Sequence, residues 1–252
     1  LSNNIASAIA PALAIYLLNI THNYNLLFWL AFLTSAIGLG INATLKLNPR
    51  ELIKDKPKIS LDRFFLLKGW SEGLSMMCLS FSYGVTATYV AIYGKETLNI
   101  SGGSALFFML LSLGLILSRL VGSRTLRQGK ITQNASVGVL ISLCGYLMFA
   151  LLQNPIGYYC SAFIVGLGNG HMWPAYQTMF LNLAPHTQRG TANSSILISW
   201  DIGVGLGTLI GGAIAEHCGY QQAFIASALV NLIGIIIFFG YAKNDFLKNK
   251  LR

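Results

Sequence analysis

Eight times along this chain an apolar run continues for roughly 15 to 25 residues before charge interrupts it, and about 20 suffice for a helix to cross 30 Å of hydrocarbon. The runs are Asn4–Leu18, Leu26–Leu45, Gly69–Tyr93, Ser104–Val121, Ala135–Leu152, Gly157–Leu181, Ala192–Ala215 and Ala223–Tyr241. Hydrocarbon offers no water to the backbone, so each run must bond its own peptide groups and become a helix. The residue-by-residue alternation of a membrane barrel is absent. Hydrophobic residues make up 54% of the chain and charged residues only 10%, where a soluble domain carries about 25% charged. The sequence therefore predicts an all-α membrane protein with eight transmembrane helices.

Charge predicts their direction. Threading eight spans puts Lys46, Arg50, Lys54, Lys56, Lys58, Arg63 and Lys68 on one side, together with Arg119, Arg124, Arg127, Lys130, Arg189, Lys243, Lys248, Lys250 and Arg252. Lys95 alone falls opposite. Short loops rich in Lys and Arg stay in the cytoplasm, so both ends of the chain are expected there. The net charge of +9 is thereby a topology signal, and no nucleic-acid partner is implied. The one long polar stretch, with Pro49 and Pro57, reads as a cytoplasmic linker. Its end, about Ser60–Lys68, mixes Leu61, Phe64, Phe65 and Leu67 with Asp62, Arg63 and Lys68, a pattern that suits a short helix on the membrane surface. This divides the chain into 1–46 with two helices, 47–68 as linker and 69–252 with six. The cysteines lack metal or redox spacing, so neither a metal site nor a cofactor is expected. The chain begins without Met and close to a helix, which suggests a fragment.

A few polar residues interrupt the apolar runs, and polar groups inside a membrane are functional candidates. On the sixth run Asn169, Trp173, Tyr176, Gln177 and Phe180 recur at helical spacing and share a face. Tyr83, Thr86 and Tyr89 do the same on the third. Together they are candidates to line a substrate cavity; the alternative is hydrogen bonding between helices, worth about 0.6 kcal/mol each in membranes. His171 lies about 21 Å along its helix, offset from that face. It is either packed and bonded to a backbone carbonyl, or a proton carrier. Asp201 lies about 13 Å deep. It either takes up and releases a proton or bonds to a neighbouring Ser or Trp200 and steadies its helix. Gly203, Gly207 and Gly211 form a stripe where another helix can come close, with a partner expected outside this chain. Glu72 and Arg119, near helix ends, are expected to reach toward the head groups.

The segment GSRTLRQGK resembles the loop signature of the major facilitator superfamily, G-x-x-x-D-R-x-G-R. Gly122, Arg127, Gly129 and Lys130 match, while Leu126 stands in place of the family's Asp. The stretch Ala6–Ile15 is similar to the antiporter signature G-x-x-x-G-P-x-x-G-G, with Pro11 kept and Ala6, Ala10 and Ala14 in glycine positions. The hinge PHTQRGTANS, followed by DIGVGLGTLIGG, looks like the connection between the family's tenth and eleventh helices. Counted that way, the chain holds helices five to twelve of twelve, and its partner is the missing N-terminal part. A small-residue stripe on the first run (Ala6, Ala10, Ala14) recurs six runs later at Gly203, Gly207, Gly211 and Ala215, as the family's six-helix repeat requires.

The resemblance implies a secondary transporter of small organic molecules in a cell membrane, in bacteria the inner one, working by alternating access. Proton-coupled efflux is the leading expectation. Uptake of a sugar or metabolite, or a truncated protein that no longer transports, are the alternatives. Gly122, Arg127, Gly129 and Lys130 then form a cytoplasmic gating loop. An enzyme is not expected: no paired acids lie at matched depth and no HExxH is present.

Overall fold

A computed structural model describes residues 10, 13–14, 16–18, 20–45, 64–100 and 102–251. The helices are α1 (Tyr24–Ala43), α2 (Trp70–Glu96), α3 (Gly103–Arg127), α4 (Ile131–Leu151), α5 (Pro155–Leu183), α6 (Arg189–Cys218), α7 (Tyr220–Ile237) and α8 (Lys243–Asn249). A π-helical turn, Phe238–Ala242, joins α7 to α8. Most of the first predicted span and of the linker lies outside the described residues. Among the described residues six stretches are long and apolar enough to cross a membrane: α1, α2, α3, α4, α6, and α7 with its continuation. Helix α5 is equally long, but Asn169, His171 and Gln177 dilute its apolar character.

Local chemistry sets the ends. Asn154 accepts a hydrogen bond from the Gly157 N–H at 2.7 Å, and Pro155 fills the first helical position of α5, where its missing N–H costs nothing. Helices α6 and α7 are separated by one residue, Gly219, at φ +98°, a conformation that a side chain would strain.

Helices α2 to α7 pack as a bundle of two sets. Helix α5 lies against α3 and α4, α2 lies against α6 and α7, and the α4–α7 and α5–α6 contacts join the sets. Helix α1 has no buried residue. The core has two layers. One, around Met76, Met172, Tyr176, Phe180, Phe238 and Phe246, lies where the basic residues cluster. The other, around Tyr93, Phe107, Phe149, Tyr158 and Phe224, lies at the opposite end.

Three expectations need correction. The glycine stripe has its partner within this chain: a Cβ at Gly203 would run into the Met77 carbonyl, one at Gly207 into that of Phe81, and one at Gly211 into Val85, all on α2. The described end of the linker does not lie flat on a surface. Residues 64–66 turn into a 3-10 helix, Leu67–Gly69. Leu66 is fully buried, with its N–H bonded to Ser195 Oγ at 2.8 Å. Nor does Glu72 reach toward solvent, since it is fully buried in the first turn of α2.

Candidate functional site

The candidate residues separate into three groups. The first is an aromatic cluster shared by three helices. Trp200 of α6 lies 5.0 Å from Trp173 of α5 and 5.3 Å from Tyr83 of α2, measured between ring centroids. All three rings are only partly buried. Gln177, one turn beyond Trp173, donates to Asn193 Oδ1 at 3.1 Å and also remains partly open. Tyr89 donates to the Thr208 carbonyl at 2.8 Å, tying α2 to α6. Pro174 sits inside α5 beside this cluster, and the Pro174 carbonyl accepts from Thr178 Oγ1 at 2.7 Å. That bond is the back-bond of a helical threonine to the carbonyl four residues earlier; the carbonyl that Pro174 leaves without its N–H donor is that of Gly170.

The second group is enclosed, and here the proposed wall fails. Tyr176 is fully buried and its hydroxyl bonds Ser75 Oγ at 2.7 Å; the Ser75 hydroxyl also lies 2.8 Å from the Gly234 carbonyl. That joint ties α2, α5 and α7. Thr86 is 4% exposed, and its hydroxyl oxygen has no partner. Asn169 is 6% exposed and faces Tyr146 of α4. Shared helical spacing put these side chains with Trp173 and Gln177, but α5 is covered on most sides, so only part of that face stays open. Tyr176, Thr86 and Asn169 are packing groups in this conformation.

His171 belongs here too. Its Nδ1 lies 2.9 Å from Asn134 Oδ1, while Asn134 Nδ2 donates to the His171 carbonyl at 2.8 Å. Because the amide nitrogen is already the donor, Oδ1 must accept, and the ring carries its proton on Nδ1. His171 is therefore a packed residue, bonded to a side-chain amide where a backbone carbonyl was expected. A Cβ at Gly122 would collide with this pair. The gating residues are not one loop: α3 continues through Arg127, so Gly122 and Arg127 are helical, and only Gly129 (φ +74°) and Lys130 form the turn. Leu126, in the place of the family's Asp, packs against the basic-end core.

The third group is Asp201. It follows Trp200 on α6 but points away from the glycine stripe and is exposed. Among the described residues it makes no hydrogen bond or ion pair. On the same outward side lie Leu197, Ile198, Ile202, Leu206 and Leu209, all exposed. A carboxylate alone in an apolar helix face is costly unless something else meets it. Sequence reasoning did not single out Trp200 as part of the cluster, although its place beside Asp201 offered the signal.

The family model described as Major Facilitator Superfamily matches residues 1–203 and, in a second match, 137–250. Multidrug resistance protein MdtG of Erwinia billingiae is 30% identical over 98 residues, 39% of this chain and 24% of that protein. An uncharacterized MFS-type transporter of Burkholderia mallei is 25% identical over 168 residues, 66% of this chain and 40% of that one. The chain thus spans well under half the length of these curated relatives. Among solved structures, the peptide transporter POT in complex with alafosfalin superposes with a TM-score of 0.63 at 16% identity, over 73% of this chain and 40% of that one. An inward-facing, unoccupied bacterial homologue of the human lysosomal transporter Spinster gives 0.60 at 16% identity, over 86% and 58%. At such identity the likeness speaks for the fold alone.

Proposed function

The chain belongs to the major facilitator superfamily, and from that premise we propose that it supplies the second half and part of the first half of a proton-coupled exporter of small organic molecules. It is a multi-pass membrane protein of a transporter family, not an enzyme. In the proposed assembly residues 1–46 are the fifth and sixth helices, 47–68 the linker, and 69–252 the second half. Helices one to four complete the cavity. The basic end faces the cytoplasm, since loops rich in Lys and Arg stay on that side, and the membrane is the bacterial inner one.

The observation that carries the coupling is Asp201, a carboxylate in the middle of an apolar helix with no partner among the described residues. In a completed transporter it would face the other half. Neutralising it with a proton makes the closed interface cheap, and releasing the proton favours the open one. Tyr83, Trp173 and Trp200 give the adjoining wall an aromatic, weakly polar character suited to amphipathic substrates, and Gln177 adds one amide. Tyr89 lines the same α2–α6 seam. The gating turn at Gly129 and Lys130, with Arg127 just before it, closes the cytoplasmic side. Export is favoured by the Pro11 signature and by a relative named for multidrug resistance; uptake would use the same fold in the opposite direction.

The test is Asp201→Asn in the complete transporter, assayed in everted vesicles with a panel of drugs and sugars. The amide keeps shape and hydrogen bonding but cannot exchange a proton. Substrate should still bind while gradient-driven accumulation is lost. Transport with unchanged pH dependence would make Asp201 structural.

A further inference from the structure

Glu72 is a buried acid that the reading above leaves unused. Its residue is fully enclosed in the first turn of α2. Oε2 accepts from Ser71 Oγ at 3.1 Å, and Oε1 has no hydrogen-bond partner among the described residues. Among the described residues no cation pairs with it, although Lys248 lines the cleft beside Ser71. Tyr176 on α5 and Asp245 on α8 lie within electrostatic reach. Helix α6 brings Ser199 against the neighbouring Gly73, and the π-turn offers Phe238 and Ala242 to the same core layer. The start of α2 contributes a partial positive charge, which only partly offsets an ionised carboxylate taken out of water.

One route to water remains. Ser71, the donor to Glu72, also lines a cleft of about 230 Å³ at the basic end, with Trp70, Tyr241, Asn244, Asp245 and Lys248. Ser71 therefore borders both the buried carboxylate, through its hydroxyl, and the cleft. We propose that Glu72 is a proton-binding site, loaded from the basic end through Ser71. The proton leaves a hydronium ion in the cleft, an O–H bond forms at the carboxylate, and the buried charge goes from −1 to zero. Ser75, one helical turn beyond Glu72, holds α2 to both Tyr176 and Gly234. A charge appearing at Glu72 thus acts beside the joint that keeps this end of the bundle closed. The proposal rests on the chain spanning a membrane and not on any role for Asp201.

The test is infrared difference spectroscopy on the chain in lipid nanodiscs between alkaline and acidic pH. A carbonyl band of a protonated, water-shielded carboxyl group should appear, be lost in Glu72→Gln and persist in Asp201→Asn. Should Glu72→Gln fold poorly, carboxyl-¹³C-glutamate in the unmutated chain gives the same answer. The band should shift down and persist in Glu51→Gln; the other two glutamates, Glu96 and Glu216, are exposed, so neither is shielded as Glu72 is. In Ser71→Ala the deuterium exchange of the band should slow. Spectra that show no shielded glutamate band at any pH, as a permanently charged helix cap would produce, overturn the proposal. A band whose exchange is indifferent to Ser71→Ala overturns the route. Neither outcome bears on Asp201, whose transport test stands separately.

Discussion

The two ends of the bundle are held together by different chemistry. At the aromatic end Phe149 sits among Tyr93, Phe107, Tyr158 and Phe224, with ring centroids between 4.6 and 5.9 Å from its own. Those rings come from α2, α3, α5 and α7. At the basic end an apolar layer around Met76, Phe180 and Phe238 is joined by single hydrogen bonds between elements: Ser75 to Tyr176 and Gly234, Ser195 to the Leu66 N–H, Asn134 to His171. Interlocked rings lose their contacts together when helices separate, and water returns nothing to them. Hydroxyls and amides can exchange a protein partner for water at small net cost. The contrast predicts a division of labour, with the aromatic end the more fixed and the basic end the readier to open.

The strongest test is Phe149→Ala, which removes the hub of four ring contacts. Core Phe→Ala changes cost about 3–5 kcal/mol, and unfolding in mixed micelles should show a loss in that range. A cost no larger than that of a serine deletion at the basic end would erase the contrast. Next is Gly207→Leu, at the seam shared by both ends. Its Cβ has no room against Phe81, and overpacking of this kind costs about 1–3 kcal/mol; Leu206→Ala, on the exposed side, should be close to neutral by the same measurement. The smallest effect belongs to Ser75→Ala. Interhelical hydrogen bonds in membranes average about 0.6 kcal/mol, so its stability should fall by about that amount. Cysteine labelling near Leu66 should nevertheless speed up, because a tie at the opening end is gone. Unchanged labelling would mean that the basic end is as fixed as the other.

Much of this was legible in the sequence. Apolar run length gave the described helices, because it follows from the bilayer alone. The glycine stripe was legible as a surface but not as a contact: spacing says that a backbone can be approached, and only the fold says that α2 does the approaching. Tyr176 misled for a related reason. Helical spacing put it with Trp173, yet α5 touches enough neighbours to bury one part of that face and leave another open. Glu72 misled because position near a helix end implies reach toward water, whereas this first turn of α2 is buried, with Phe65 and Ser199 against the next residue, Gly73. The ring cluster around Phe149 gave no signal, since its members lie on five separate segments and no periodicity connects them.

The single-residue turn at Gly219 has a mechanical meaning. Two consecutive Cα steps cover at most about 7.6 Å, so the adjoining ends of α6 and α7 cannot part by more than that. A tilt of α6 relative to α7 pivots there. Its 30 residues make a lever about 45 Å long, and each degree of tilt carries the Arg189 end about 0.8 Å. Because the glycine stripe holds α2 along the same length, α2 travels with it. The tightest turn in the bundle thus sets where the stroke is largest: at the basic end, beside Ser195 and the buried Leu66.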